Sequence, residues 1–231
     1  MPHEHRLGIV TGMVLEARLL TSAFKSIPAD VRPLVAASGP SRKRAHDVGH
    51  ALAREGATAL MSAGLAGALA PELETGDVIV ADRLLTEDKP ALACSPIWVA
   101  ALADAGPPTP LYSAGVAVAT AEEKRAVAAA RGAAAVDMES YGVGAAAQEL
   151  GLPFVALRAI ADDAERAIPP AALKGLKADG NTDPWAVLTA MAASPGQIRG
   201  VLAVAGDSRK ASKALRRVAL ALAPAFGLGD V

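Results

Sequence analysis

The sequence predicts an α/β fold: a three-layer α/β/α sandwich with a central mixed, mostly parallel twisted sheet. Three observations predict it. Short aliphatic or β-branched runs alternate with alanine-rich stretches of helical character along the whole chain, the pattern of buried strands joined through helices. The strand-like runs are continuously apolar, so both sheet faces must be covered. The 231 residues, 52% hydrophobic and 20% charged, suffice to bury one sizeable core. No internal repeat or low-complexity linker divides them, so residues 1–231 read as one domain.

The continuous apolar runs place strands at Leu7–Val10, Leu34–Ala37, Thr58–Ser62, Val78–Ala81, Gly115–Thr120, Ala134–Asp137 and Phe154–Ile160. Between and after them, alanine-rich segments place helices at Val14–Phe24, Arg42–Glu55, Pro96–Ala105, Ala121–Ala130, Glu139–Leu150, Pro184–Ala193 and Ser208–Ala223. Residues 163–183 carry prolines, glycines and clustered acidic residues, and read as an irregular surface excursion that can serve as a lid. Residues 184–231 form a helical C-terminal tail.

Composition excludes several classes. Alanine makes up about a quarter of the chain and aromatics only 3%, so much of the apolar fraction is small side chains suited to close packing. Disordered, coiled-coil and disulfide-scaffold classes do not fit. A formal net charge of -1 provides no global attraction to nucleic acid. One cysteine, Cys94, excludes an internal disulfide and suits a reducing, cytoplasmic compartment. The N-terminal segment lacks the features of a signal peptide, and no uncharged apolar run reaches the ~18 residues of a membrane span.

In such sheets ligands bind beyond the carboxyl ends of strands. Three of these ends carry carboxylates: Glu16 after the first strand, Glu139 after Val136-Asp137-Met138, and Asp162 with Asp163 after Ile160. Taken singly, Glu16 and Glu139 also suit helix first turns, where carboxylates cap, and one of the paired aspartates suits a turn. Together they can supply an acid, a base and an acceptor for sugar hydroxyls. The run Ala63-Gly64-Leu65-Ala66-Gly67-Ala68 reads as a small-residue turn. It lacks the spacing of a dinucleotide fingerprint, and no P-loop occurs. Ser38-Gly39-Pro40-Ser41-Arg42-Lys43-Arg44 opens a helix with three cations, either a solvated basic face or an anion site with Arg42 as phosphate ligand. His46 and His50, spaced i, i+4, can touch one metal, but no acidic or cysteine third ligand is evident, and they read as helix surface. Ser208–Phe226 is a basic amphipathic helix, either covering the sheet or meeting a membrane surface. His3 and His5 read as terminal residues, and Trp98 and Trp185 as packing residues.

Four segments occur in a telling order: Met13-Val14-Leu15-Glu16; Ala63-Gly64-Leu65-Ala66-Gly67-Ala68-Leu69 with Gly76-Asp77-Val78-Ile79-Val80; Val136-Asp137-Met138-Glu139-Ser140; and Arg158-Ala159-Ile160-Ala161-Asp162. This set resembles the nucleoside phosphorylase/nucleosidase family, which includes the methylthioadenosine/S-adenosylhomocysteine nucleosidases, over about residues 7 to 165. The Met-Glu-Ser variant and the Arg/Lys-rich tail look most like its hopanoid-associated branch, linked to removal of adenine from adenosylhopane.

The resemblance implies cleavage of an N-glycosidic bond. It implies that Asp162 protonates or hydrogen-bonds the purine at N7, with Asp163 as its competitor, and that Glu139 accepts the ribose hydroxyls over Met138. Glu16 matches the water-activating Glu of the nucleosidases and stands where hexameric phosphorylases carry a phosphate-holding Arg. Leu65 likewise stands where those place a hydroxyl, so hydrolysis is favoured while phosphate stays open as co-substrate. Gly64, Val118 and Ala119 border the implied nucleoside site, with Val118 in place of an aromatic stacking residue and backbone near Ala119 reading the purine. The resemblance implies no metal or cofactor, a purine nucleoside that is open to a lipid-like 5′ substituent, and a homo-oligomer. A soluble nucleosidase substrate and a non-catalytic nucleoside-binding protein are the alternatives.

Overall fold

A computed structural model describes residues 6–222. His3 and His5, and the end of the expected C-terminal helix, lie outside the described residues. In chain order the elements are β1 (Leu7–Thr11), α1 (Val14–Ala23), β2 (Leu34–Ala37), α2 (Arg42–Arg54), β3 (Ala59–Ala68), β4 (Val78–Leu85), β5 (Leu92–Ala93), α3 (Pro96–Ala101), β6 (Pro108–Ser113), α4 (Ala121–Arg131), β7 (Ala135–Asp137), α5 (Ser140–Leu150), β8 (Phe154–Asp162), α6 (Pro170–Leu173), α7 (Pro184–Ala193), a 3-10 turn (Pro195–Gln197) and α8 (Ile198–Leu222).

The strands form one sheet in the order β2-β1-β3-β7-β6-β4-β5, with β8 bridging β3 and β4. The pairs β1–β2, β1–β3, β3–β8, β4–β6 and β6–β7 are parallel, and β3–β7, β4–β5 and β4–β8 antiparallel. The sheet is therefore mixed and mostly parallel, as expected, and helices flank it. Its second half closes on itself, because β3, β8, β4, β6 and β7 pair around a ring. Two large apolar clusters fill the layers. One packs Leu7, Ile9, Leu20, Phe24 and Leu157 under Leu215 and Val218 of α8. The other packs Leu60, Ile79, Leu84, Val143 and Ile160 against α2 and α5.

Three expectations are corrected. Ala63–Ala68 is not a turn but the second half of β3, which pairs with β8 and, at Gly67 and Ala68, with β7. Its small residues keep side-chain bulk out of the ring rather than bend the chain. Gly115–Thr120 is not a strand. The strand is Pro108–Ser113 instead, despite its two prolines, and the apolar 114–120 segment is a loop. Phe154–Ile160 continues to Asp162, so the candidate acid lies in the strand rather than beyond it. Between Ala66 and Gly67 the β3–β8 register slips by one, leaving Ala161 as an extra residue that re-aims the strand end.

The C-terminal helix starts ten residues before the expected Ser208. Ala211, Leu215, Val218 and Ala219 are buried against the sheet, while Arg209, Lys210, Lys213, Arg216 and Arg217 face solvent. Over residues 208–221 the helix thus covers the sheet with its apolar side and turns its basic side to solvent. Leu215→Ala should lower unfolding stability by about 2–5 kcal/mol, the range for emptying a buried leucine site, as read from urea melts. A change under about 0.5 kcal/mol, typical of surface positions, would show that α8 does not seal this core.

Candidate active site

Four segments converge on one cavity of about 190 Å³, lined among others by Gly12, Met13, Glu16, Leu65, Gly67, Val118, Asp137, Met138, Glu139 and Asp162. The 163–183 excursion closes it from outside. Ile168, Leu173 and Leu176 line the cavity, a Leu176–Thr182 bridge ties the excursion into a loop, and the Val14 N–H donates to the Gly180 carbonyl at 3.0 Å. The excursion, which is not wholly irregular because it contains α6, therefore lies over the strand ends.

Glu16, third residue of α1, is buried. Its carboxylate accepts from the Met13 N–H at 2.9 Å and the Leu65 N–H at 3.0 Å. It caps its own helix and faces the cavity at once, so the two readings of this residue are not exclusive. Burial raises its pKa against those two donors and the Arg158 charge.

Glu139 sits at the N-cap of α5, buried, beside Arg158 with 3.7 Å between Oε2 and Nη2. Burial and the negative charges of Asp137 and Glu16 push its pKa up to about 8, against the pull of Arg158. Arg158 on β8 is 1% exposed. Its Nε and Nη2 donate to Asp137 Oδ2 at 2.7 and 2.6 Å, and Nη2 also reaches Ser62 Oγ at 2.7 Å and Ser140 Oγ at 2.9 Å. Asp137 in turn accepts the Ser140 N–H at 3.2 Å. One guanidinium thus faces three carboxylates in a low-dielectric site, where ionising Glu16 and Glu139 is disfavoured.

Asp162 is held by a second cation. Lys124 of α4, 0% exposed, bonds Asp162 Oδ2, and its ammonium also donates to the carbonyls of Asp163 at 2.6 Å and Arg166 at 3.0 Å. Burial raises the Asp162 pKa, and the lysine charge opposes it. Asp163 points instead to Arg166 at 3.5 Å, half exposed, and does not line the cavity. Of the two neighbours, the structure brings Asp162 to the site.

Glycines give these side chains room. A Cβ on Gly12 would lie 2.8 Å from Glu139 Oε1, one on Gly64 2.9 Å from Arg158 Nη1 and 3.0 Å from Glu16 Oε2, and one on Gly67 2.9 Å from Asp162 Oδ2. Gly64 therefore sits behind Glu16 and Arg158 and does not line the cavity, which corrects its expected place against the nucleoside. Val118 and Met138 do line it. Ala119 does not: its N–H donates to Glu123 at 2.9 Å and its carbonyl accepts from Ile168 at 2.8 Å, so its backbone is engaged in the α4 cap and the lid.

Arg42 is also drawn elsewhere. Its guanidinium bonds Thr86, and Glu87 at 2.6 Å, outside the cavity, and no lysine or arginine side chain is among the described residues lining it. Sequence reading missed Arg158, Asp137, Ser62, Ser140 and Lys124. A lone arginine inside an apolar strand was the one legible signal, because it must be paired to be buried. Lys124, in Ala-Glu-Glu-Lys-Arg, looks like any exposed helical charge.

Residues 108–183 match the family model described as Phosphorylase superfamily. No protein of curated function matches the chain. Solved structures share its fold. The futalosine hydrolase of Helicobacter pylori strain 26695 superposes with a TM-score of 0.69 at 16% identity, covering 93% of this chain and 97% of that one. The 5′-methylthioadenosine/S-adenosylhomocysteine nucleosidase of H. pylori gives 0.68 at 18%, covering 93% and 97%. The S. pneumoniae nucleosidase bound to a transition-state inhibitor gives 0.68 at 18%, covering 93% and 98%. The resemblance read from the ordered motifs is borne out by this family match and this fold.

The raised Glu139 pKa fixes a pH dependence. An unfolded glutamate titrates near 4.5 and the folded one near 8. The protonated form stabilises the fold fully below about pH 4.5, and this contribution is lost as pH rises through about 8. Denaturant melts from about pH 5 to about pH 8 should show stability falling with pH, and Glu139→Gln should make the fall shallower. An unchanged slope in the variant would assign the titration to another group.

Proposed function

We propose that this chain is an N-ribosyl hydrolase that releases adenine from an adenine nucleoside, with water as the second reactant. The observation that carries the reading is the convergence of Glu16, Glu139 and Asp162, from three separate strand ends, on one lidded cavity. A departing purine anion is a poor leaving group, and a proton delivered to N7 from Asp162 removes the developing charge as the C1′–N9 bond breaks. Glu139 accepts the ribose hydroxyls above Met138. Its charge, once those donors favour ionisation, stabilises the ribosyl cation. Glu16 takes the proton of the water that adds to C1′.

Water is favoured over phosphate on electrostatic grounds. A cavity lined by Glu16, Asp137, Glu139 and Asp162 and by no lysine or arginine side chain offers a phosphate dianion no cation to bind, and Arg42 is paired with Glu87 outside it. Backbone groups of Ala117 and Val118 are the purine readers in this reading, in place of Ala119. No metal or cofactor takes part in this scheme.

The leading substrate is an adenosine carrying a lipid-like 5′ substituent, as in adenosylhopane; a methylthioadenosine-type nucleoside is the alternative. Two features support the lipid. Met13, Leu65, Ile168, Leu173 and Leu176 make much of the cavity wall apolar. Next to the lid, α7 buries none of its residues, leaving Trp185 76% and Leu188 49% exposed, and Leu202 of α8 is 65% exposed. No single helix among the described residues is long and apolar enough to cross a membrane; α7 and the run after it pass such a test only as a pair bent by 119°. This bent apolar pair suits a peripheral contact with the cytoplasmic face of a bilayer, which moves the membrane contact from the basic helix to 184–202.

Product analysis tests the chemistry. Adenosine with a long alkyl 5′ substituent should release adenine and a free reducing sugar at the same rate with and without phosphate. Asp162→Asn should slow release by about 10²–10⁴-fold, the usual contribution of a general acid. Strict phosphate dependence, or near-full turnover by the variant, would overturn hydrolysis or the assigned acid respectively. Preference for 5′-methylthioadenosine would select the alternative.

Vesicle co-sedimentation tests the contact. The chain should pellet with phospholipid vesicles, and Trp185→Glu with Leu188→Glu should abolish pelleting without loss of fold. Equal pelleting by the variant would dismiss this surface. Concentration-dependent dimerisation broken by the same pair, with no lipid binding, would give α7 to a second copy in a homo-oligomer.

A further inference from the structure

We propose a transition-metal site on the outer face of the α2–α5 pair, formed by His46, His50 and Glu149. The two histidines lie one turn apart on α2, and the third ligand, absent from the neighbouring sequence, is brought in by α5. His46 Nε2 and His50 Nε2 each lie 3.0 Å from the same atom, Glu149 Oε2. The three candidate ligand atoms all fall within 4.8 Å of one another. Zinc bonds of about 2.0–2.2 Å in a tetrahedron set ligand atoms roughly 3.3 Å apart, so small side-chain shifts make room for the ion.

The packing explains why these residues meet. A Cβ on Gly142 would lie 2.0 Å from the Arg42 carbonyl, and one on Gly49 3.0 Å from the Ala146 Cβ, so the two helices cross in close contact. The next turn of α5 on that side presents Glu149 to the His46/His50 edge. A carboxylate stands behind the first ligand: Asp47 Oδ1 is 3.5 Å from His46 Nδ1, and Lys43 holds Asp47 Oδ2 at 2.9 Å. A carboxylate on Nδ1 fixes a histidine ring with Nε2 facing a metal. The ligand side chains are 30%, 28% and 57% exposed, which lets an ion enter and leaves its fourth position to water.

Two imidazoles and one carboxylate suit Zn²⁺, Ni²⁺ or Cu²⁺ and not Mg²⁺ or Ca²⁺. None of the three residues lines the cavity. The ion would act as a clip between the helices that begin beside Pro40 and Glu139 of the cavity wall, adding stability rather than chemistry.

The test uses the full chain carrying His3→Ala and His5→Ala, which removes the terminal imidazoles. Calorimetric titration with Zn²⁺ should show one ion per chain, and saturating Zn²⁺ should raise Tm by several degrees. Co²⁺ should give the visible absorption of a tetrahedral site. His50→Ala and, separately, His46→Ala should abolish all three signals, while both variants melt like the parent without metal. Glu149→Gln should weaken Zn²⁺ at least tenfold. No Zn²⁺ binding by the parent at about 100 μM, or binding unchanged in both histidine variants, overturns the site.

Discussion

Arg158 is the constraint on which the site depends. A guanidinium almost wholly removed from water must be matched by carboxylates, and its chain neighbours on β8 are apolar. Asp137 from the end of β7, Glu139 from the start of α5 and Glu16 from α1 gather around it, with Ser62 and Ser140 completing the shell. Removing the arginine would leave a crowd of uncompensated buried charge, which typically costs about 3–5 kcal/mol. The same pairing draws three separate segments to one point, so the interaction that secures the fold there also assembles that end of the cavity.

Small residues make that assembly sterically possible. Gly12 clears Glu139, Gly64 clears Glu16 and Arg158, and Gly67 clears Asp162. Each functional carboxylate therefore lies against a backbone position where any side chain would collide with it. Strand β3 shows why the small-residue run looked like a turn: glycine and alanine weaken strand propensity, and only the ring pairing with β8 and β7 reveals them as clearance rather than bend.

Much of the architecture was legible because buried strands and alanine-rich helices carry opposite periodicities. Leu34–Ala37 and Pro184–Ala193 occur with the boundaries read from sequence. The failures have physical causes. Pro108 and Pro110 disguise β6, since proline lacks the N–H of a ladder, whereas the apolar 115–120 loop imitates a strand by composition alone. Of the site, the three carboxylates were legible as strand-end residues, and all three line the cavity. Their cations were not, because Lys124 and Arg158 act across about 38 and 20 residues of sequence and no local pattern encodes such pairing. Glu149 escaped for the same reason, lying 99 residues from His50.

The two buried cations divide the cavity into unlike halves. Lys124 meets one carboxylate at the cavity wall, Asp162, whose pKa burial raises against the pull of that lysine. Four residues earlier on β8, Arg158 meets three carboxylates, more than its one charge can balance, so burial raises the pKa of Glu16 and Glu139 there. The separation along the strand is at most about 13 Å, the scale of one bound nucleoside. A reaction that protonates a base at one end and develops a ribosyl cation at the other needs such an imbalance: an acid held by a single partner, and an electron-rich surround where positive charge appears. In the proposed reaction a phosphate nucleophile would enter a half whose cation, Arg158, is already engaged by Asp137, whereas water enters neutral and can yield its proton to a carboxylate. The charge distribution thus favours the cleavage and the water nucleophile proposed above.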